Sequence, residues 1–110
     1  MSDTGTDTLT KIEENLDLKE PSLYKVVFLN DDVTPMDFVM NCLMSIFNHS
    51  LTEAEELTHK IHQEGFAIVA VLPYEIAEQK GIETTVLSRN NNYPLQVKIE
   101  ADNWYLINTP

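Results

Sequence analysis

Three residues rich in acceptor oxygens, Asn30-Asp31-Asp32, stand in a row where a hydrophobic stretch gives way to a helix start. Asn and Asp favour turns because their side chains bond to nearby backbone, so local capping by itself accounts for them. The cluster also suits a second task. Two carboxylates and an amide oxygen on a helix mouth make a receptor for a cation, and a primary ammonium needs acceptors around its three donors. The helix dipole tolerates acids at that end. His62 lies at the edge of a helical apolar seam. There it could be a packed residue, a base, a metal ligand or a neutral hydrogen-bond acceptor.

Other chemistries find less support. Nucleophilic catalysis needs a nucleophile beside His62, and Cys42, the single cysteine, falls inside an apolar helix. With 3 Gly in the chain, phosphate-cradling and dinucleotide patterns are absent. His59 and His62 are three apart, with Glu55 near, but no further ligand spacing completes a metal site. One cysteine also excludes an intrachain disulfide. The expectation is a non-enzyme with no metal and no cofactor.

The elements that must hold these residues follow from hydrophobic periodicity. Leu23 to Leu29 is nearly all apolar, β-branched or aromatic, and reads as a buried strand. Thr34-Pro35-Met36-Asp37 reads as a helix start, with Thr34 at N-cap and Pro35 at N1. The helix runs to about Asn48 and is mostly enclosed; Met36, Met40 and Met44 recur along it, suited to core packing or, for Met36, to walling a pocket. A second helix begins near Thr52, with Glu55 completing a capping box, and stops at Gly65. Its seam is Ala54, Leu57, Thr58 and Ile61.

Phe66 to Leu72 is a second buried strand, halted by Pro73, and a third helix starts at Tyr74 despite Gly81 and the β-leaning Thr84-Thr85-Val86. Arg89 to Pro94 is loop. Leu95 to Ala101 alternates apolar with polar residues, a strand with one wet face. The predicted fold is a small single α+β domain: a three-stranded antiparallel sheet covered on one face by three helices, in the order β-α-α-β-α-β.

Length and charge frame this core. The 110 residues support one domain. Residues 1–22 hold six acids and two lysines with few large apolar side chains, which predicts a flexible acidic extension. Residues 23–102 form the core, and residues 103–110, with Trp104, a short C-terminal extension. The net charge of −11 argues against nucleic acid and anionic membranes, and favours a ligand or partner with positive charge. No apolar run approaches the roughly 20 residues of a membrane helix. The start of the chain lacks the pattern of a signal or transit peptide, so a cytoplasmic setting is expected.

The run from Pro21 to Val39, PSLYKVVFLNDDVTPMDFV, closely resembles the signature of the ClpS family. His62-Gln63-Glu64-Gly65 and Tyr93-Pro94-Leu95 fall where that family has its helix-borne histidine and its last strand. The resemblance spans about residues 21–101. It implies an adaptor of the N-end rule that binds substrates beginning with Leu, Phe, Tyr or Trp and delivers them to a Clp AAA+ unfoldase of the ClpA type. Carried over by position, it makes Asn30, Asp31, Asp32 and His62 the residues around the substrate α-ammonium. Thr34, Met36, Val39, Thr58, Ile61 and Leu95 become the apolar pocket, with Met36 as its gatekeeper. Glu75 and Lys80 become the surface that docks on the unfoldase N-terminal domain, and the N-terminal tail the segment engaged during delivery. Thr58 stands where the family commonly has Met, which implies a roomier, more polar pocket that rejects Ile and Val less strongly. The alternative is a non-catalytic interaction domain of ribosomal-stalk-like fold, which would not need Asn30, Asp31 and His62 together.

Overall fold

A computed structural model describes residues 22–102. The expectations about residues 1–21 and about the extension 103–110 lie outside this range. Within it the chain runs β1 (Leu23–Leu29), α1 (Met36–Ser45), α2 (Leu51–Glu64), β2 (Phe66–Pro73), α3 (Tyr74–Asn90) and β3 (Gln96–Ala101). β1 has the most buried residues of the three strands and takes the centre of the sheet, order β2-β1-β3, with both neighbours antiparallel. The β1–β2 register slips between Val26, which faces Ala70, and Val27, which faces Ile68, a bulge that increases local twist.

The three helices pack on one face of the sheet. Val26 and Phe28 of β1 meet Val39, Cys42 and Leu43 of α1, Ala54 and Ile61 of α2, and Ala77 of α3 in a single core. Phe28 is fully buried and edge-on to Phe47, with centroids 5.6 Å apart. Among the described residues the other sheet face carries no helix.

Several boundaries differ from those predicted, each for a local reason. α1 starts at Met36 with Pro35, not Thr34, at the N-cap, and no side chain caps it. Thr34 is already committed, because its N–H and its hydroxyl both donate to Asp31. The helix ends at Ser45, short of Asn48, whose φ of 60° is left-handed and breaks the run. It is also less enclosed than expected: Met36 and Met44 are 39% and 38% exposed.

α2 is capped by Ser50 rather than Thr52. The Ser50 hydroxyl accepts from the Glu53 N–H at 3.1 Å, and Glu53 accepts from the Ser50 N–H at 2.9 Å. The same Ser/Thr-x-x-Glu pattern occurs twice, two residues apart, and Ser50 has the extended backbone that a cap requires. β2 is an edge strand with one wet face, not a buried run, and as an edge it accommodates Pro73 at its end.

α3 runs into the predicted loop, to Asn90. Gly81 is explained by close approach: a Cβ there would sit 3.2 Å from Cδ1 of Ile99 on β3. The β-leaning segment is helical, and its Thr84 and Ser88, both fully buried, satisfy their hydroxyls by bonding back to the carbonyls of Lys80 and Thr84 at 2.8 and 2.7 Å. Small residues at 81, 84 and 88 let the helix lie against the sheet.

Candidate functional site

The acceptor cluster begins where β1 ends. The Asn30 N–H donates to the Gly65 carbonyl at 2.9 Å, which ties the end of β1 to the end of α2. Gly65 closes α2 with φ 92°, a left-handed conformation that costs other residues dearly. His62 stands in the last turn of that helix, exposed. Residues far apart in sequence are thus brought to one end of the sheet, with the exposed amide of Asn30 beside the helix terminus that carries His62.

Asp31 builds the entrance to α1. One carboxylate oxygen accepts from the N–H groups of Val33 (2.8 Å) and Thr34 (2.6 Å), and the other from the Thr34 hydroxyl (2.8 Å). Burial pushes the Asp31 carboxyl up, but the hydrogen bonds from Thr34 and Val33, with the charge of Arg89, outweigh it and hold the pKa below its ordinary value. Asp31 is therefore a fixed negative charge. A carboxylate offers about four lone-pair directions, so three bonds leave it one for a ligand. Asp32 is exposed and adds charge beside it.

The apolar residues assigned to the pocket divide by depth. Val39, Thr58, Ile61 and Leu95 are 6%, 3%, 3% and 1% exposed, from α1, α2 and the segment before β3. Thr34 is half-buried in the turn, and Met36 is exposed at the first position of α1, beside the acceptor cluster. Thr58 lies on the buried stripe of α2, between Ala54 and Ile61. Among the described residues its Oγ1 is the one buried side-chain polar atom without a hydrogen-bond partner.

Glu75 and Lys80 both lie on α3, away from this cluster in sequence and element. Glu75 is exposed in the first turn. Lys80 is half-buried: its ammonium donates to the Ile46 carbonyl at 2.7 Å and stands 5.9 Å from the Phe47 ring centre.

Sequence reasoning did not single out two features of the site. Arg89 donates to the carbonyls of Tyr93 and Leu95, both at 2.9 Å, and so braces the loop that delivers Leu95. Phe38 of α1 meets Tyr93 edge-on at 4.9 Å, which holds the same loop from the other side. A depression of about 270 Å³ opens beside Asn30 and Asp31, lined also by Leu29, Pro94 and Gln96. An Arg two residues after Leu87, the last apolar position of its helix, carries no pattern that would have revealed this role. Among the described residues no group of three or more His, Cys, Asp or Glu could hold a metal ion, and no helix is long and apolar enough to cross a membrane.

Comparison with known proteins places these features in a family. The family model described as ATP-dependent Clp protease adaptor protein ClpS matches residues 19–98. An ATP-dependent Clp protease adapter protein ClpS of Treponema denticola is 51% identical over 81 residues, covering 74% of this chain and 80% of its own. That of Nautilia profundicola is 43% identical over 93 residues, covering 84% and 96%. A solved structure of Agrobacterium tumefaciens ClpS2 bound to L-phenylalaninamide superposes with a TM-score of 0.73 at 37% identity, covering 76% of this chain and all of that one.

Proposed function

The chain belongs to the ClpS family, adaptors of the ATP-dependent Clp protease rather than enzymes, and we propose that it captures proteins by a free N-terminal Leu, Phe, Tyr or Trp and delivers them to a Clp AAA+ unfoldase of the ClpA type. The observation that carries this reading is the Asn30–Gly65 hydrogen bond, which sets the acceptors after β1 against the end of α2 that bears His62. The phenylalaninamide bound by the Agrobacterium relative supports it, since that ligand joins a free α-amine to an apolar side chain.

In this reading the α-ammonium donates to the Asn30 amide oxygen, to the open lone pair of Asp31 and to neutral His62, while Asp32 adds negative potential. The first side chain enters between Thr34, Met36, Val39, Thr58, Ile61 and Leu95. Val39, Ile61 and Leu95 belong to the packed core, so the floor is preorganised, whereas the thioether of Met36 at the rim can move aside. Burying a Leu or Phe side chain contributes about 1.5–3 kcal/mol. Each hydrogen bond to the charged amine adds about 1.5–3 kcal/mol. After the costs of association, micromolar binding remains, near −8 kcal/mol, an affinity suited to capture and release. Neither part suffices alone, so internal Leu or Phe residues are passed over. Glu75 and Lys80 would then meet the unfoldase N-terminal domain.

The test is a fluorescence titration with a Leu-starting peptide and its N-acetylated twin. Acetylation removes the positive charge and two donors, and binding should vanish. His62→Ala should weaken binding of the free peptide while the fold persists. Equal affinity for the two peptides would refute the reading.

A further inference from the structure

The sheet face that bears no helix is neither polar nor neutral. Across it run three rows set by strand register: Val71, Lys25 and Glu100; Ile68, Val27 and Lys98; Phe66, Leu29 and Gln96. Phe66, Ile68 and Val71 are 49%, 43% and 43% exposed, and a hollow of about 320 Å³ lies over the face. Contiguous exposed apolar surface of this kind marks a contact site. Lys25 and Lys98 flank the apolar stripe, with one acid, Glu100, beside them. In a chain of net charge −11, a face with two lysines and one acid attracts what the rest of the surface repels.

We infer that this face is the docking site of the chain's own N-terminal segment, residues 1–21. The segment joins the core at Ser22, immediately before β1. β1 is the central strand, so both of its edges are already paired. The helices fill one face, and among the described residues no element lies on the other. The composition of the segment matches that second face. It holds Asp3, Asp7, Glu13, Glu14, Asp17 and Glu20 against Lys11 and Lys19, a net −4, together with Leu9, Ile12, Leu16 and Leu18. Acids can meet Lys25 and Lys98 while the leucines and the isoleucine cover Phe66 and Ile68.

Length permits the contact. A flexible chain of this size spans on average about 25 Å, at roughly 5–6 Å times the square root of its length. The face from Lys25 to Leu29 is about 13 Å long, at roughly 3.3 Å per residue. Tethering supplies the affinity that individual side chains lack, because a short flexible link sets an effective concentration in the millimolar range. The contact is therefore weak, intramolecular and sensitive to salt.

The test uses the full chain, 15N-labelled, with Thr8→Cys carrying a nitroxide. Burial raises the Cys42 thiol pKa to about 11, so that residue stays unlabelled. Relaxation broadening should concentrate on the amides of Leu29, Phe66, Ile68 and Lys98, several-fold above that of the exposed side of α2. High salt, Ile68→Glu and the double variant Lys25→Glu/Lys98→Glu should each reduce it to the level of the rest of the surface. The pair of variants guards against a folding defect in either. Broadening spread evenly over both faces of the domain would overturn the inference. So would broadening that appears only between separately labelled molecules, which would assign the face to a second copy.

Discussion

The backbone N–H of Asn30 lies 2.9 Å from the carbonyl oxygen of Gly65, and this hydrogen bond joins the end of the central strand to the left-handed residue that terminates the second helix. It is backbone to backbone, so its position depends on the φ of Gly65 and not on any side chain. The candidate amine site inherits its geometry from this link.

Gly65→Ala should therefore both destabilise the protein and weaken peptide binding. No atom lies within 4 Å of where the Cβ would be, so the penalty is conformational alone, about 1–2 kcal/mol for a left-handed L-residue. Gly65→Asn should lose less, since Asn tolerates that region. Urea denaturation measures the first effect, and peptide titration at fixed folded concentration the second. A neutral Gly65→Ala would contradict the assigned role of the link.

Asp31 makes stability depend on acid. Its folded-state pKa lies below the ordinary 3.8, because bonds from Thr34 and Val33 and the Arg89 charge outweigh burial, which acts in the opposite direction. A carboxylate so depressed contributes stability that is present above its unfolded pKa and is lost as pH falls through the folded value. Asp31→Asn should lower the melting temperature at pH 7, and the gap to wild type should close as pH drops below about 4. Melting curves that stay parallel across that range would refute this.

Thr58 carries a buried hydroxyl with no partner among the described residues. Such an atom costs about 1–3 kcal/mol, so the near-isosteric Thr58→Val should raise stability by about 1 kcal/mol in urea denaturation. The resemblance to the family also implies that Met commonly stands at this position. If Thr58 lines the proposed pocket, the wild type should prefer Leu-starting over Ile-starting peptides only weakly, and Thr58→Met should strengthen that preference. A large preference for Leu in the wild type would remove Thr58 from the pocket.

Lys80 ties α3 to the end of α1 through the Ile46 carbonyl. Lys80→Met keeps the aliphatic stem over Phe47 and removes only the ammonium, so denaturation should report a loss of about 1.5–3 kcal/mol, the range of a charged hydrogen bond. Exposed Glu75 offers the cleaner probe of the proposed docking surface, and if that surface meets the unfoldase N-terminal domain, Glu75→Lys should reduce the association without a comparable loss of stability.

Much of this molecule was legible before any coordinates. The alternation of Leu95 to Ala101, the apolar run of β1 and the Gly at 65 are local signals, and local signals survive folding because backbone conformation and side-chain period are properties of neighbouring residues. The boundaries were less legible where two local choices competed. Ser50 and Thr52 each begin a Ser/Thr-x-x-Glu pattern, and only the backbone path through residue 50 selects between them. Thr34 could cap α1 as well as bond to Asp31, and the turn gave it to Asp31.

By itself the sequence determined the element order, the acidic character, the family and the residue types able to meet an ammonium. Tertiary structure alone decided which of them stand together. It set the end of β1 beside the end of α2, committed three lone pairs of Asp31 to the α1 entrance, recruited Arg89 as a brace, and, among the described residues, left one apolar sheet face without a helix. Those outcomes depend on contacts between residues distant along the chain, and such contacts form only when the whole core closes.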